Sequence, residues 1–310
     1  MAKYILKRCV LAMFTLMVLI TIIFVLVRLL PGDPFSSEKG NAVTQAQLRA
    51  YYGLDQPILA QWTTYIGRLF QGNMGYSYKY PGRTVNDTIK QTFPVSASLG
   101  LRALSFALAV GIMLGTISAQ KAGKTVDYLC VFIAIIGVSV PDFIVGVVLQ
   151  LVFAVKLGWF PAGLWQGWRY TVLPVFALSL YTIAMITRLM RSSMLEVLHQ
   201  DYILTAKAKG LSRFEIIWRH QLRNAILPVV TVMGPLTAAV LTGTFVIEKI
   251  FAIPGMGKFY VQSVSDLDYT MVLGMTVFYG MFLVIANLVV DILYGIIDPR
   301  IKIAESGKKR

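Results

Sequence analysis

Charge is scarce in this 310-residue chain: Asp, Glu, Lys and Arg together make up 14% of it, where an ordinary soluble domain carries about 25%. So few charges cannot clothe a soluble domain of this size. A free-standing soluble enzyme, a disordered chain and a nucleic-acid-binding domain are therefore excluded as descriptions of the whole. Cysteine is nearly absent too. Cys9 and Cys130 each sit in an apolar stretch, too few for a disulfide framework and too far apart for a close-spaced metal site. They read as small core residues. Histidine is limited to His199 and His220. Neither His-Glu-x-x-His nor Gly-x-Ser-x-Gly occurs, so the constellations of a zinc protease or a serine hydrolase are missing.

What the chain has is apolar residues, 56% of the total, with a mean hydropathy of +0.67. Lipid must be the solvent for much of its surface. A spanning helix needs about 20 mainly apolar residues, and six stretches qualify: 9–27, 103–119, 128–155, 170–187, 225–247 and 269–290. Five carry no charge; the third carries Asp142 beside Pro141, and a tilt, kink or break is expected there. Lys3, Lys7 and Arg8 precede the first stretch as in a signal peptide. Its apolar part is too long for one and no small-residue cleavage site follows, so it reads as an uncleaved anchor ending sharply at Leu29-Leu30-Pro31-Gly32-Asp33-Pro34.

Six spans place both termini on one side, together with the loops 120–127 and 188–224. Those segments hold 17 of the 29 Lys and Arg residues. The positive-inside rule then puts both termini in the cytoplasm, and the net charge of +14 is explained by topology, with no nucleic acid required. The organisation expected is an N-terminal transmembrane helix over 1–30, an extracytoplasmic region over 31–95, a core with five transmembrane helices over 96–300, and a cytoplasmic tail over 301–310.

The outer region has its own pattern. Thr44-Gln45-Ala46-Gln47 resembles a capping box opening a short helix that Gly53 would end. Leu59, Trp62, Ile66 and Leu69 fall at near-helical spacing. That stripe either packs on the bundle as a cover or offers a platform to an external partner. The sequon Asn86-Asp87-Thr88 is short enough to occur by chance.

The inner loop over 188–228 is the most informative segment. Gln200 to Lys209 reads as a helix closed by Gly210, a left-handed C′ residue. Ser212-Arg213-Phe214-Glu215 is a capping box opening a second helix, expected to run to about Ile226 and to be stopped by Pro228. Phe214, Ile217, Trp218, Leu222 and Ala225 would form one apolar face, with Arg219, His220 and Arg223 on the other. A helix-turn-helix DNA reader does not suit a segment tied at both ends to spans. Two readings remain: a helix pair seated on anionic lipid, and a protruding elbow that docks into a cytoplasmic partner and passes its motion into the bundle.

Asp201-Tyr202-Ile203-Leu204-Thr205-Ala206-Lys207-Ala208-Lys209-Gly210, followed by Leu211 and, further on, Leu227-Pro228, resembles the coupling motif of ABC importer permeases: Glu-Ala-Ala, three residues, Gly, then a variable stretch ending in Leu-Pro. Leu204 stands at the motif's Glu and Thr205 at its first Ala, a version similar to the peptide/nickel branch. The resemblance extends along nearly the whole chain through residues 29–34, Tyr52-Gly53-Leu54-Asp55-Gln56-Pro57, Gly72-Asn73-Met74-Gly75, Gly137-Val138-Ser139-Val140-Pro141, Lys156-Leu157-Gly158-Trp159-Phe160-Pro161-Ala162-Gly163, Phe251-Ala252-Ile253-Pro254-Gly255-Met256-Gly257 and Asp298-Pro299-Arg300. Ser77-Tyr78-Lys79-Tyr80 with Thr84-Val85-Asn86-Asp87 looks more like the oligopeptide member of that branch's permease pair.

The resemblance implies an all-α membrane protein: a type I ABC importer permease bundle of six transmembrane helices, N and C termini cytoplasmic, with a long outer loop after the first helix, multi-pass in the bacterial inner membrane. It implies half of a translocation pore for oligopeptides, completed by a second homologous permease subunit. Two cytoplasmic ABC ATPases would grip the elbows, and an extracytoplasmic peptide-binding protein would deliver the peptide. The chain would not itself be an enzyme and would hold no cofactor, ATP and Mg belonging to the partner ATPases. The elbow residues it marks are Asp201, Tyr202, Ile203, Thr205, Ala206, Ala208, Lys209, Gly210, Leu211 and Pro228. Dipeptide, nickel or glycoside cargo of the same branch is the alternative, and an ion-driven carrier or stand-alone channel lies further off.

The Walker-like string Ser118-Ala119-Gln120-Lys121-Ala122-Gly123-Lys124-Thr125 lacks the first Gly and follows a span where a strand is required, so it reads as a turn. Asp142, the only mid-span carboxylate, has two readings with Pro141: it lines the translocation path, or it satisfies backbone freed by the proline. Gly111-x-x-x-Gly115 reads as ordinary close packing inside the bundle.

Overall fold

The structure, a computed structural model, describes residues 2–29, 50, 53–80, 82–242 and 244–297. The residues 30–34, the Thr44 box, Gly243 and Asp298-Pro299-Arg300 lie outside that set. The described chain is helical: α1 (Ala2–Leu29), α2 (Ile58–Phe70), α3 (Val85–Gln120), α4 (Thr125–Ser139), α5 (Asp142–Leu149), α6 (Arg169–Leu198), α7 (Asp201–Ala208), α8 (Arg213–Glu215), α9 (Arg223–Ala225), α10 (Leu227–Thr242), α11 (Thr244–Ile250), α12 (Met256–Ser265) and α13 (Tyr269–Ile297). Two π-helical stretches, Gln150–Lys156 and Ile216–Leu222, continue α5 and join α8 to α9. Among the described residues the strand-like feature recorded is one isolated antiparallel bridge, Tyr76 to Thr84.

Among the described residues four helices are long and apolar enough to cross a membrane: Leu6–Leu29, Val85–Gln120, Arg169–Leu198 and Tyr269–Val289. The expected third stretch is a bent pair. Thr125–Ser139 and Asp142–Lys156 meet at 102°, because Pro141 has no amide to continue the α4 ladder and its fixed φ of −56° makes it the cap of α5 instead. Over 225–247 the described residues form the end of α9, a turn at Ile226, α10 (Leu227–Thr242) and the start of α11 (Thr244–Ile250).

The chain divides into two compact units, residues 1–96 with 254–285, and residues 97–253 with 286–310. In the first, α2 packs on α1 and α13. Trp62, Tyr65, Ile66 and Leu69 meet Ile20, Phe24, Leu273 and Val277, and the Trp62 indole N–H donates to Thr21 Oγ1 at 3.2 Å. The stripe is therefore a packed cover, except that Leu59 stands 73% exposed. α2 ends in a Schellman turn: Gly72, at φ +74°, donates to Leu69 O and Asn73 donates to Arg68 O, each at 2.9 Å. Asn86 pins the next loop, accepting from the Met74 amide and donating to Gly72 O. Buried Asp268 caps α13 by accepting from the Met271 amide, and also takes the Ser77 hydroxyl and the Tyr78 amide. Ser77-Tyr78-Lys79-Tyr80 is thus tied to a helix start nearly two hundred residues away, and the Tyr80 hydroxyl donates to Asp266.

In the second unit α6 is the central rod, with more than half of its apolar stretch buried. Gly111 and Gly115 let α3 press against α6. A Cβ on Gly115 would sit 2.6 Å from Met190 Cβ and 2.7 Å from Thr187 O, so the small pair serves packing within this chain. The segment after α5 folds back onto Phe251. Leu164 N–H donates to Phe251 O at 2.8 Å, Gln150 Nε2 donates to Ala162 O and Ile250 O, and a Cβ on Gly163 would lie 2.7 Å from Phe251 O.

Candidate functional site

The elbow is built by two caps placed back to back. α7 ends in a Schellman motif: Gly210, at φ +76°, donates its amide to Lys207 O at 3.0 Å, and Leu211 donates to Ala206 O at 3.3 Å. Leu211 and Ala206 also meet in the apolar cluster, the contact that usually accompanies this motif. One residue later Ser212 opens α8. Its Oγ accepts from the Glu215 amide at 3.3 Å, and Glu215 Oε2 accepts from the Ser212 amide at 3.1 Å and from its hydroxyl at 2.8 Å. Those two hydrogen bonds hold the Glu215 carboxyl below its ordinary value. The turn is therefore fixed on both sides, and its sharpness depends on the one left-handed residue between the caps.

Ile203 and Ala206 are buried in this chain's own core with Met190, Met194, Ile216 and Ala225. The elbow residues marked by the resemblance are therefore divided: Ile203 and Ala206 hold α7 down, while Tyr202 is 40% exposed and its neighbour Leu204 58%. Asp201, Thr205, Ala208, Lys209 and Gly210 are exposed as well, and Leu211 is half-buried. Thr205 turns its hydroxyl back to Asp201 O.

The second helix departs from the expected face. Between Ile216 and Leu222 the chain is π-helical, so each turn advances about 4.4 residues and the 3.6 spacing no longer picks out one side. Ile216, Gln221 and Ala225 turn inward. Phe214 and Trp218 turn outward, 74% and 65% exposed, stacked with ring planes 3° apart. Pro228 does not stop a helix; it sits in the first turn of α10, where a missing N–H breaks no bond. The break falls at Ile226, and Ile226 N–H to Leu222 O and Val230 N–H to Ile226 O carry the ladder through it at 3.0 Å each. The elbow therefore runs into α10 without a loose joint.

A polar bracket with no signal in the sequence lies behind the elbow. Buried Gln221 accepts from Gln120 Nε2 at 2.6 Å, and Gln120 Oε1 accepts from Arg213. Next to it Arg191 grips Asp127 with two hydrogen bonds of 2.7 Å, and Asp127 also takes the Ser118 hydroxyl and the Gly123 amide. The Walker-like string is thus the α3–α4 turn, its Ser118 and Gly123 donors committed to this chain's own carboxylate. A charge pair at residues 127 and 191 has no spacing signal, which is why pattern reading passes over it.

Pro141 and Asp142 lie at the α4–α5 bend. Asp142 Oδ1 accepts from the Phe143 amide at 2.7 Å, so it satisfies an amide of the helix start. It also lines a cavity of about 300 Å³ with Ser139, Pro141, Tyr181 and Thr182. Among the described residues no cluster of His, Cys, Asp or Glu is placed to hold a metal ion.

Comparison with known proteins adds the following. Residues 111–303 match the family described as "Binding-protein-dependent transport system inner membrane component", and residues 1–100 match its N-terminal companion. The chain is 47% identical over 308 residues to the dipeptide transport system permease protein DppB of Bacillus subtilis, covering 99% of this chain and 100% of that protein. It is 44% identical over 305 residues to the oligopeptide transport system permease protein OppB of Haemophilus influenzae, covering 97% and 100%. Among solved structures, a chain of the MetNI methionine ABC transporter in inward facing conformations superposes with a TM-score of 0.54 at 14% identity, covering 68% of this chain and 96% of that one; this likeness concerns the fold.

Proposed function

The chain belongs to the binding-protein-dependent transport system inner membrane components, and from that premise we propose that it forms half of the pore of an ATP-driven importer of oligopeptides. The two kinds of named relative, oligopeptide and dipeptide permeases, support peptide as the cargo class. The dipeptide relative supplies the second reading, a shorter peptide through the same machine. A second permease would complete the pore, and an extracytoplasmic binding protein would deliver the peptide. Two ATPases would carry ATP and Mg, leaving this chain no chemistry of its own.

In this reading the bacterial inner membrane is crossed six times, by α1, α3, the bent α4–α5 pair, α6, α10 with α11, and α13. Both termini and the elbow face the cytoplasm. Of the residues the coupling resemblance marks, Tyr202 with its neighbour Leu204 meets the ATPase. Ile203, Ala206, Gly210 and Leu211 keep α7 at its angle, and Pro228 starts the rod that moves. Pro141 and Asp142 border the path at a point where a helix is already broken.

The observation that carries the reading is the doubly capped elbow, continuous with α10 and exposing aromatic and aliphatic side chains away from its own core. A helix fixed in this way passes a push into the bundle as rigid-body motion. The test is reconstitution of the four membrane and ATPase subunits with the binding protein in liposomes. Labelled peptide should accumulate with ATP inside the compartment that holds the ATPases, and not with a membrane potential alone. Uptake that follows the potential and is lost in Asp142→Asn would instead identify an ion-driven carrier.

A further inference from the structure

Within the first unit lies a cavity of about 470 Å³, in the size range of small-ligand sites. Arg28 from the last turn of α1, Gln61, Tyr65 and Arg68 from α2, and Tyr76 and Tyr269 contribute to its wall. Two guanidinium groups thus share one wall, and no Asp or Glu is among the described lining residues. Three of these lining side chains also carry a buried polar atom with no hydrogen-bond partner, closed off behind the wall: Arg28 Nε, Tyr65 Oη and Gln61 Oε1. The amide nitrogen of Gln61 is already committed to Leu54 O and Gln56 O, and the Arg28 guanidinium lies 5.0 Å above the Phe24 ring.

Buried polar groups are normally satisfied, so three left unpartnered on side chains of one cavity wall mark groups that a ligand would take up once those side chains turn to it. Two of the open atoms are donors, since burial pushes the Tyr65 phenol above the usual tyrosine range and keeps it protonated. The third, Gln61 Oε1, is an acceptor. With two positive charges present, the matching ligand is an anion that also carries a hydroxyl. Its surroundings narrow the source. α1 exposes Ile22, Val25 and Leu26 over the two turns that lead to Arg28, and Leu29 just beyond it. α2 exposes Leu59 and Phe70. An anionic head with apolar surface beside it suits a lipid better than a soluble ion or a peptide terminus.

We propose that this cavity is a binding site for the phosphodiester head group of an anionic, hydroxyl-bearing membrane lipid such as phosphatidylglycerol, held by Arg28 and Arg68 with Tyr65 and Gln61. The outer leaflet is assigned to it through the topology proposed above, because Arg28 closes the first crossing.

The experiment uses the complete transporter, purified, delipidated and placed in nanodiscs of phosphatidylcholine with or without phosphatidylglycerol. Lipid retained after detergent exchange is then counted by native mass spectrometry. Wild type should keep phosphatidylglycerol over phosphatidylcholine, and Arg28→Gln with Arg68→Gln should lower retention about tenfold, the scale of losing charge-assisted hydrogen bonds. Tyr65→Phe, which removes one oxygen and keeps the fold, should lower it about threefold, the scale of one neutral hydrogen bond. Displacement of the lipid by millimolar inorganic phosphate would make this a free-anion site and overturn the lipid assignment, as would displacement by a peptide with a free carboxyl terminus. Equal retention in wild type and the Arg variants would also overturn it. ATP-driven uptake is measured on the same samples. Normal uptake with no selective lipid rejects this site alone, whereas retained lipid with no ATP-driven uptake rejects the transport reading and leaves the site standing.

Discussion

Gly210 bears the sharpest test of the elbow. Its φ of +76° lies in the left-handed region, and nothing stands within 4 Å of the Cβ it lacks. Substitution there is therefore penalised by backbone strain alone, without a steric clash. An ordinary L-residue in that region costs about 1–2 kcal/mol, and a β-branched one sits at or above the upper end. Asn tolerates the left-handed region far better. Gly210→Val should thus cost about 2 kcal/mol, enough to reduce the population of the native turn about 30-fold relative to its alternatives. Gly210→Asn should cost a few tenths. The relief open to the Val variant is to unwind the last turn of α7, breaking the Gly210–Lys207 and Leu211–Ala206 bonds. Assembly would survive, because Ile203 and Ala206 remain buried. The assay is peptide uptake and ATP hydrolysis by the reconstituted complex, with subunit stoichiometry checked. Val should hydrolyse ATP with little uptake, and Asn should work close to wild type. Normal uptake by the Val variant, or equal loss in both, would refute a role for backbone conformation.

Three other expectations rest on contacts around the same elbow. Gln221→Leu removes the bond to Gln120 from a buried position and should lower the complex's stability by about 1 kcal/mol, with looser elbow amides by hydrogen exchange; unchanged exchange would contradict the bracket. Asp127→Asn leaves Arg191 half-buried without its counterion. Breaking a buried pair costs about 3–5 kcal/mol, and because the Arg191 side chain is 30% exposed the loss should fall at or below the lower end, read as a fall in the thermal midpoint of the purified complex. Glu215 has a depressed carboxyl pKa in the folded state, so the capping box adds stability above the carboxyl's unfolded value and loses it as pH falls through the folded one. Protection of the Ser212–Glu215 amides should therefore drop on acidification, and should be low at every pH in Glu215→Ala.

The parts legible in the sequence are those governed by local rules. The caps at Gly210 and Ser212 depend on residues within four positions, and the structure has both. Pro141 marks the 102° bend because a missing amide acts on its own helix. The parts that escaped are those in which a partner decides. Phe214, Ile217, Trp218, Leu222 and Ala225 fit one face at 3.6 residues per turn, but the π-helix from Ile216 turns Phe214 and Trp218 outward and Gln221 inward. Ile203 and Ala206 stand on the face of α7 turned into the core cluster, where the π-helical stretch 216–222 is its neighbour, and that neighbour is unknown to a local pattern. Asp127 with Arg191, Ser77 with Asp268, and Gly163 with Phe251 are long-range pairs whose members look like ordinary loop residues when read alone. The family motifs 156–163 and 251–257 gain a physical basis from that last contact, since Gly163 admits the Phe251 carbonyl where a Cβ would clash.

The most direct test of the lever is a crosslink read together with transport. Cysteines at Tyr202 and Leu204, each paired with a cysteine along the ATPase groove, are placed in the assembled importer, and disulfide formation is followed with and without ATP while peptide uptake is recorded. The elbow should join the ATPase in both states, and locking it should stop uptake while reduction restores it. Crosslinks that form only to labelled phospholipid, or uptake undiminished by the lock, would show that the inner bend does not carry the motion.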